Sequence, residues 1–374
     1  MNKKISVLIP DGENDLALKV LRCLSIVPNI QVSVLSREKW NPIRLSRHHS
    51  GFYSHTVDQF DRKRLDVILD LAKQLGVDII LPVEQSAIRL ISEYREEVEA
   101  IAALPPIASP DVMDIASDKW LLTDILKKEN IPYPQSILFQ SELPDEHDFT
   151  QISYPVLTKP LNGAGGTGIL FFDNSSELSA YLKSKDCPEK LVIQSFIRGY
   201  DLGCSVLCQN GEIKAYTIQK GVIPGVKRFE PPSSIEFIQQ EQVYKNIEKL
   251  MRALNWSGVA NIDLRYDEDK KEVKILEINP RYWASVIGSL VAGINFPYLA
   301  CQLSMGLDFP RPEYQLVSYT KPEAAFKLLL KKYFKGSISI GTIKNTGILY
   351  TMTDLGPEFI KYYGRFLERF SRIS

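Results

Sequence analysis

Residues 261–281 read Asn261-Ile-Asp263-Leu-Arg-Tyr-Asp-Glu-Asp-Lys-Lys-Glu-Val-Lys-Ile-Leu-Glu277-Ile-Asn279-Pro-Arg281. Polar and apolar residues alternate from Asn261 to Tyr266 and again from Val273 to Asn279, around a charged turn. That pattern predicts a β-hairpin. Residues two apart in a strand share a face, so Glu277 and Asn279 point the same way, and the hairpin brings Asp263 opposite them. Two carboxylates and an amide oxygen on one sheet face make a hard-oxygen site of the kind Mg²⁺ accepts, with water and phosphate completing the shell. Arg281, just past the strand, is placed to meet developing phosphate charge. A solvated hairpin with ordinary surface charges is the plain alternative.

Upstream, Tyr154 to Pro160 reads as a strand ending at Lys159, and Ile169 to Phe172 as a second strand. Between them lies Asn162-Gly-Ala-Gly-Gly-Thr-Gly168. Gly163, Gly165 and Gly168 match Gly-x-Gly-x-x-Gly in letters, but a strand follows where a dinucleotide site needs a helix. The expectation is a glycine loop, Gly166 included, joining antiparallel strands and offering backbone N–H groups to phosphates, with Lys159 as a point charge beside it. A flexible hairpin tip is the alternative. Lys190 to Asp201 reads as strand, connector and new strand. It leaves backbone groups at 195–197 for a flat heterocycle and Asp201 for hydroxyls. Cys204 and Cys208 on that new strand read as core. Lys220 to Pro232 is rich in Gly, Pro and basic residues. Lys220, Lys227 and Arg228 either approach a substrate or phosphate or sit in a solvated loop. Glu241 to Leu254 has amphipathic helical spacing.

The N-terminal stretch alternates strand and helix: 4–9, Asp15 to Leu24, Val32 to Leu35, Leu65 to Leu75 with Gly76 as stop, and Asp78 to Pro82. This βαβ order implies a parallel sheet, which binds ligands beyond its carboxyl ends. Asp11, Glu84 and Ser86 fall there, as substrate contacts or as turn and cap residues. After a proline-rich linker at 105–110, Lys119 opens a helix running to Lys128, where a lone lysine is usually solvated.

Length and composition bound the rest. A chain of 374 residues is too long for one simple core. Zero formal net charge supplies no global field for nucleic acid or an anionic membrane. Five cysteines without a Cys-x-x-Cys pair argue against a zinc ribbon or disulfide framework and for a reducing, cytoplasmic setting. The apolar stretch from Trp283 to Leu303 is broken by Gly288, Gly293, Asn295 and Pro297, so it reads as core helices rather than a membrane span. Residues 311–374 read as a separate piece, with helical spacing over Ala325 to Phe334 and Glu358 to Phe370. Those helices pack on the body or on a homodimer mate, or lie on a membrane surface.

In sequence order, Lys119, Lys159 with the glycine loop, Gln194 to Asp201, Asp263 and Glu277-Ile-Asn279-Pro-Arg281 resemble the ATP-grasp superfamily, within it the carboxylate–amine ligases and the carbamoyl-phosphate-synthase-like group. The resemblance spans 111–310, with a lid subdomain at about 133–195. Residues 1–110 resemble the Rossmann-like α/β domain that usually precedes it, and 311–374 form a C-terminal extension. The resemblance implies ATP and Mg²⁺, or Mn²⁺ in its place. It makes Lys119 and Lys159 phosphate ligands and Gly163 to Gly168 a mobile lid. Gln194 and Ile197 become the adenine connector, Asp201 the ribose acceptor, and Asp263, Glu277 and Asn279 the metal ligands. Arg281 steadies an acyl phosphate. Gln194 stands where many relatives carry Glu, and its carbonyl oxygen can accept from the adenine amino group. The implied reaction joins a small carboxylate to an amine with release of ADP and phosphate. A carboxylase or carbamoyl-phosphate-type acceptor, or a non-enzymatic ATP scaffold, stand as alternatives. No Met-Lys-Met biotin-attachment motif is present.

Overall fold

A computed structural model describes residues 4–58, 60–140, 152–163, 166–225, 230–322, 324–326 and 345–360. Gly165, Lys227, Arg228 and most of the two C-terminal helical stretches lie outside them. Three sheets organise these residues.

The first sheet is parallel, in the order β3-β2-β1-β4: β1 (Ile5–Ile9), β2 (Ile30–Ser36), β3 (Gly51–Ser54) and β4 (Ile79–Ile80). Its helices start and stop where side chains supply the missing backbone partners. Asn14 accepts from the Leu16 N–H at the start of Asp15–Leu24. Asp61 caps Arg62–Leu75, which Gly76 ends in the left-handed conformation. The expected strand–helix alternation is present. The short β3 is an addition at the edge of the sheet.

The second sheet is antiparallel and small, in the order β5-β8-β6-β7: β5 (Ser136–Gln140), β6 (Val156–Lys159), β7 (Leu170–Phe172) and β8 (Lys190–Ser195). It has its own core, in which Phe139, Val156, Leu178 and Ile193 pack together.

The third sheet has six strands in the order β13-β12-β9-β10-β11-β14. These are β9 (Gly199–Gln209), β10 (Glu212–Ile223), β11 (Ser234–Phe237), β12 (Gly258–Asp267), β13 (Glu272–Asn279) and β14 (Ser318–Thr320). One face packs on the helix Glu241–Ala253, whose Val243, Ile247 and Leu250 are buried. Residues 311–374, expected as a separate piece, supply the edge strand β14, paired to β11. They also reach the N-terminal unit, at the helix Asp15–Leu24 and at Ser46. Buried Arg22 donates to Asp354 Oδ2 at 3.1 Å and to Glu358 Oε1 at 3.0 Å, and Ser46 Oγ donates to Asp354 at 2.9 Å. Among the described residues no helix is long and apolar enough to cross a membrane. Cys204 and Cys208 are core residues, as expected.

Candidate active site

The hairpin β12–β13 pairs as the alternation requires. Asp263 faces Glu277, Asn261 faces Asn279, and a bulge falls just after Asp263. Because β12 also pairs with β9, and β9 with β10, one row crosses four strands: Glu277, Asp263, Gly203, Gln219. Directly opposed residues share a face. The next row is Asn279, Asn261, Ser205, Thr217. Hydrogen bonds tie these polar groups together. Ser205 Oγ donates to Asn261 Oδ1 at 3.0 Å, and Asn261 Nδ2 to Asp263 Oδ1 at 2.9 Å. Asn279 Nδ2 lies 3.2 Å from Asp263 Oδ2 and 3.5 Å from Glu277 Oε1.

This face forms the floor of a cavity of about 530 Å³, which the small sheet covers from the other side. The cavity brings together Lys119, Lys159, Gly163, Gly166, Gln194, Ile197, Asp201, Asp263, Glu277, Asn279 and Arg281. Gly168 sits in the same loop; it and Gly163 and Gly166 all adopt positive φ, a conformation that favours glycine. Asp118 caps the helix Lys119–Lys128 through the Trp120 and Leu121 N–H groups, which makes Lys119 its first residue. The Lys119 side chain is buried, with Nζ 3.0 Å from the Gly163 carbonyl and 3.3 Å from Glu277 Oε2. It thus bridges the glycine loop to the carboxylate row. Lys159 ends β6 and donates to Gln194 Oε1 at 2.7 Å.

The electrostatics follow from burial. Burial pushes the Lys159 ammonium down from 10.5 to about 8, against the pull of Glu277. Burial, reinforced by the neighbouring Glu277 charge, lifts the Asp263 carboxyl well above the usual range. Burial would lift Glu277 as well, but Lys119, the hydrogen bond with Asp263 and Lys159 outweigh it and hold Glu277 below its ordinary value. Two carboxylates packed face to face in this way favour a cation between them.

Some expected roles meet a different geometry. The Gln194 oxygen, expected toward an adenine amino group, accepts from Lys159, and Gln194 Nε2 donates to Ser136 Oγ at 3.1 Å. Asn279 turns its amide nitrogen to the carboxylates and its oxygen to Arg281 Nη2 at 3.4 Å, so metal ligation requires the amide to rotate by half a turn. Lys220 stacks 3.9 Å from the Tyr200 ring centroid, on the face of β10 opposite Gln219. Ser86 is exposed and lies outside the cavity lining.

Asp11 is fully buried and accepts from the backbone N–H of Val83 and Glu84, so it shapes a turn. The Glu84 side chain comes 3.7 Å from Arg281 Nε, which couples the first sheet to the site.

Arg265 was not singled out in the sequence. Its Nε donates to the Ile197 carbonyl at 2.6 Å, its Nη2 to the Gly199 carbonyl at 2.9 Å, and its Nη1 pairs with Asp201. The same alternation that aligned Asn261 with Asp263 puts Arg265 on their face, so the signal was present. Gly199 has no substitute here. Its φ is +137°, and a Cβ would sit 1.9 Å from the Tyr266 carbonyl oxygen.

Two sheets thus close on a cavity lined by lysines and paired carboxylates. Residues 116–285 match the ATP-grasp domain family, and the chain carries an ATP-grasp domain there. Carbamoyl-phosphate synthase of Methanobrevibacter smithii is 24% identical over 228 residues, covering 57% of this chain and 60% of that protein. The chain therefore spans less than two thirds of that relative. Among solved structures, an ADP complex of N5-carboxyaminoimidazole ribonucleotide synthetase superposes with a TM-score of 0.66 at 15% identity, over 89% of this chain and 85% of that one. The biotin carboxylase domain of Hydrogenobacter thermophilus 2-oxoglutarate carboxylase, a dimer with MgADP and bicarbonate, has a TM-score of 0.64 at 20% identity, over 84% and 73%. The fold is mixed α/β, with a parallel N-terminal sheet ahead of the ATP-grasp sheets.

Proposed function

We propose that the protein is an ATP- and Mg²⁺-dependent ligase that joins a carboxylate to an amine through an acyl phosphate and releases ADP and phosphate. The observation that carries this is the placement of Lys119 Nζ 3.3 Å from Glu277 Oε2, in one cavity with Lys159, Asp263 and Arg281, against the glycine loop. Homology to carbamoyl-phosphate synthase supports it.

The residues fit a hard cation. Asp263 and Glu277 are facing carboxylates, and Asn279 adds an amide. Among the described residues no cluster of three or more His, Cys, Asp or Glu side chains is present. Mg²⁺ keeps most of its shell from water and phosphate, so two carboxylates suffice, and Mn²⁺ takes the same donors. When bound, the metal neutralises phosphate oxygens as a Lewis acid.

The chain's own groups do the remainder. Lys119 and Lys159 hold the phosphates, and the backbone at Gly163, Gly166 and Gly168 covers them. The Ile197 connector and Asp201 take the adenosine end. A substrate carboxylate oxygen attacks the γ-phosphorus in line and ADP departs. Arg281 holds the acyl phosphate while the amine nitrogen attacks the carbonyl carbon, phosphate leaves and the amine loses a proton. Exclusion of water by the loop protects the acyl phosphate from hydrolysis.

Domain limits of 1–110, 111–310 and 311–374, with the lid at about 133–195, belong to this proposal, as does a cytoplasmic setting where ATP and Mg²⁺ are supplied. A homodimer is included on the strength of the dimeric biotin carboxylase neighbour. The test is ADP release with MgATP against pools of carboxylic acids and amines. Release that requires both pools supports the ligase. Tight ATP binding with no release under any pool replaces it by a scaffold.

A further inference from the structure

Beyond the carboxylate row the cavity continues over β10 and β11, and nothing in the nucleotide site uses that end. Three features meet there. Gln219 stands in the same row as Glu277 and Asp263. Between Asp263 and Gln219 the row holds only Gly203, and a Cβ on Gly203 would come 2.8 Å from Gln219 Nε2, so the missing side chain makes room for the amide. Gln219 is 9% exposed, and its Oε1 is buried with no hydrogen-bond partner among the described residues. A buried amide oxygen left unpaired costs free energy, which a ligand N–H donor would recover. Second, the walls are apolar: Pro231, Pro232, Ile235 and Trp283. Third, Lys321, directly after β14, lines the same space, with Nζ 3.5 Å from the Pro231 carbonyl and its backbone N–H on the Ser233 carbonyl at 3.0 Å.

We propose that this lobe binds the amine-bearing substrate and that the substrate is an α-amino acid with an apolar side chain. Gln219 Oε1 accepts from the amino group and holds the nitrogen next to the carboxylate row. Lys321 pairs with the carboxylate, and Pro232, Ile235 and Trp283 enclose the side chain. This rests on the ligase assignment above and deepens it, because it gives the C-terminal segment a direct part in substrate choice.

The test is calorimetric titration of the full chain with L-leucine and with L-phenylalanine, each with and without saturating MgADP. Isoamylamine, lacking the carboxylate, and isocaproate, lacking the amine, serve as controls. Both amino acids are expected to bind and both controls to bind at least about tenfold more weakly. Lys321→Met and, separately, Gln219→Leu are each expected to weaken L-leucine by about tenfold or more and to leave MgADP affinity unchanged. MgADP binding with no binding of either amino acid overturns the lobe and spares the ligase. Isocaproate binding as tightly as L-leucine, unaffected by Gln219→Leu, also overturns it. Amino acid binding without any MgADP binding keeps the lobe and removes the ligase.

Discussion

Lys159 Nζ donates to Gln194 Oε1 at 2.7 Å inside the cavity, and both residues are almost wholly buried. A neutral amide partner does little to restore the charge that burial disfavours, which leaves the ammonium at about 8. A lysine that binds phosphate must be protonated. MgADP affinity is therefore expected to hold steady below that pH and to fall above it, by up to about tenfold per pH unit. Gln194→Glu places a carboxylate beside Nζ and should move the fall to higher pH. Calorimetry at pH values on both sides of 8 reads this directly, and a flat profile would remove Lys159 from the phosphate site. Lys159→Ala should weaken the nucleotide at every pH.

Glu277→Gln keeps the shape of the row and removes one charge from the cation site. ADP release should drop by about 10²-fold or more, because several kcal/mol of charge stabilisation are lost. Contacts at Ile197 and Asp201 are untouched, so nucleotide still binds without metal. Wild-type turnover in this variant would end the assignment of the metal site.

Gly199→Ala forces a Cβ to 1.9 Å from the Tyr266 carbonyl oxygen, at a φ of +137° that alanine resists. Overpacking and backbone strain together should cost about 3 kcal/mol or more. Denaturant unfolding gives the number. A loss below about 1 kcal/mol would mean that the Tyr266 backbone shifts freely.

Asp354→Ala strands the guanidinium of Arg22, which is 5% exposed. Removing one partner of a buried pair typically costs about 3–5 kcal/mol. Glu358 still reaches Arg22, so the lower end of that range is expected. An unchanged denaturation midpoint would show that the C-terminal segment does not brace the first helix.

Burial raises Asp11 from 3.8 to about 7, against the lowering effect of the backbone N–H groups of Glu84 and Val83. The folded protein keeps a proton that the unfolded chain has released, so stability should fall as pH rises between those two values, by up to about 1.4 kcal/mol per unit. Asp11→Asn retains an oxygen for the two N–H groups and carries no charge. Its stability curve should be flatter over that window, and an identical curve in both proteins would contradict the shift.

What the sequence made legible was local. The Asp263–Glu277 pairing follows from alternation across a short turn, and the glycine loop from composition between two strands. The Asp15–Leu24 helix follows from spacing. Illegible were contacts set by the order of strands in a sheet. Nothing near Gln219 announces that Gly203 will lie beside it, or that Asp263 will lie beyond Gly203. Nothing near Lys321 announces a shared cavity with Lys119, because β14 joins the sheet from residues beyond the stretch that carries the motifs. The Gln194 contact was hidden for a related reason: its amide has two edges, and only the fold reveals that Lys159 takes one of them.

The Arg22–Asp354 pair also bears on synthesis. The two residues are 332 positions apart, so the ribosome makes the basic partner long before the acidic one. For most of translation the first helix carries a guanidinium whose intended pocket does not yet exist. A nascent chain halted short of that aspartate should leave the N-terminal unit open to protease, with protection arriving abruptly once the acidic residue clears the exit tunnel.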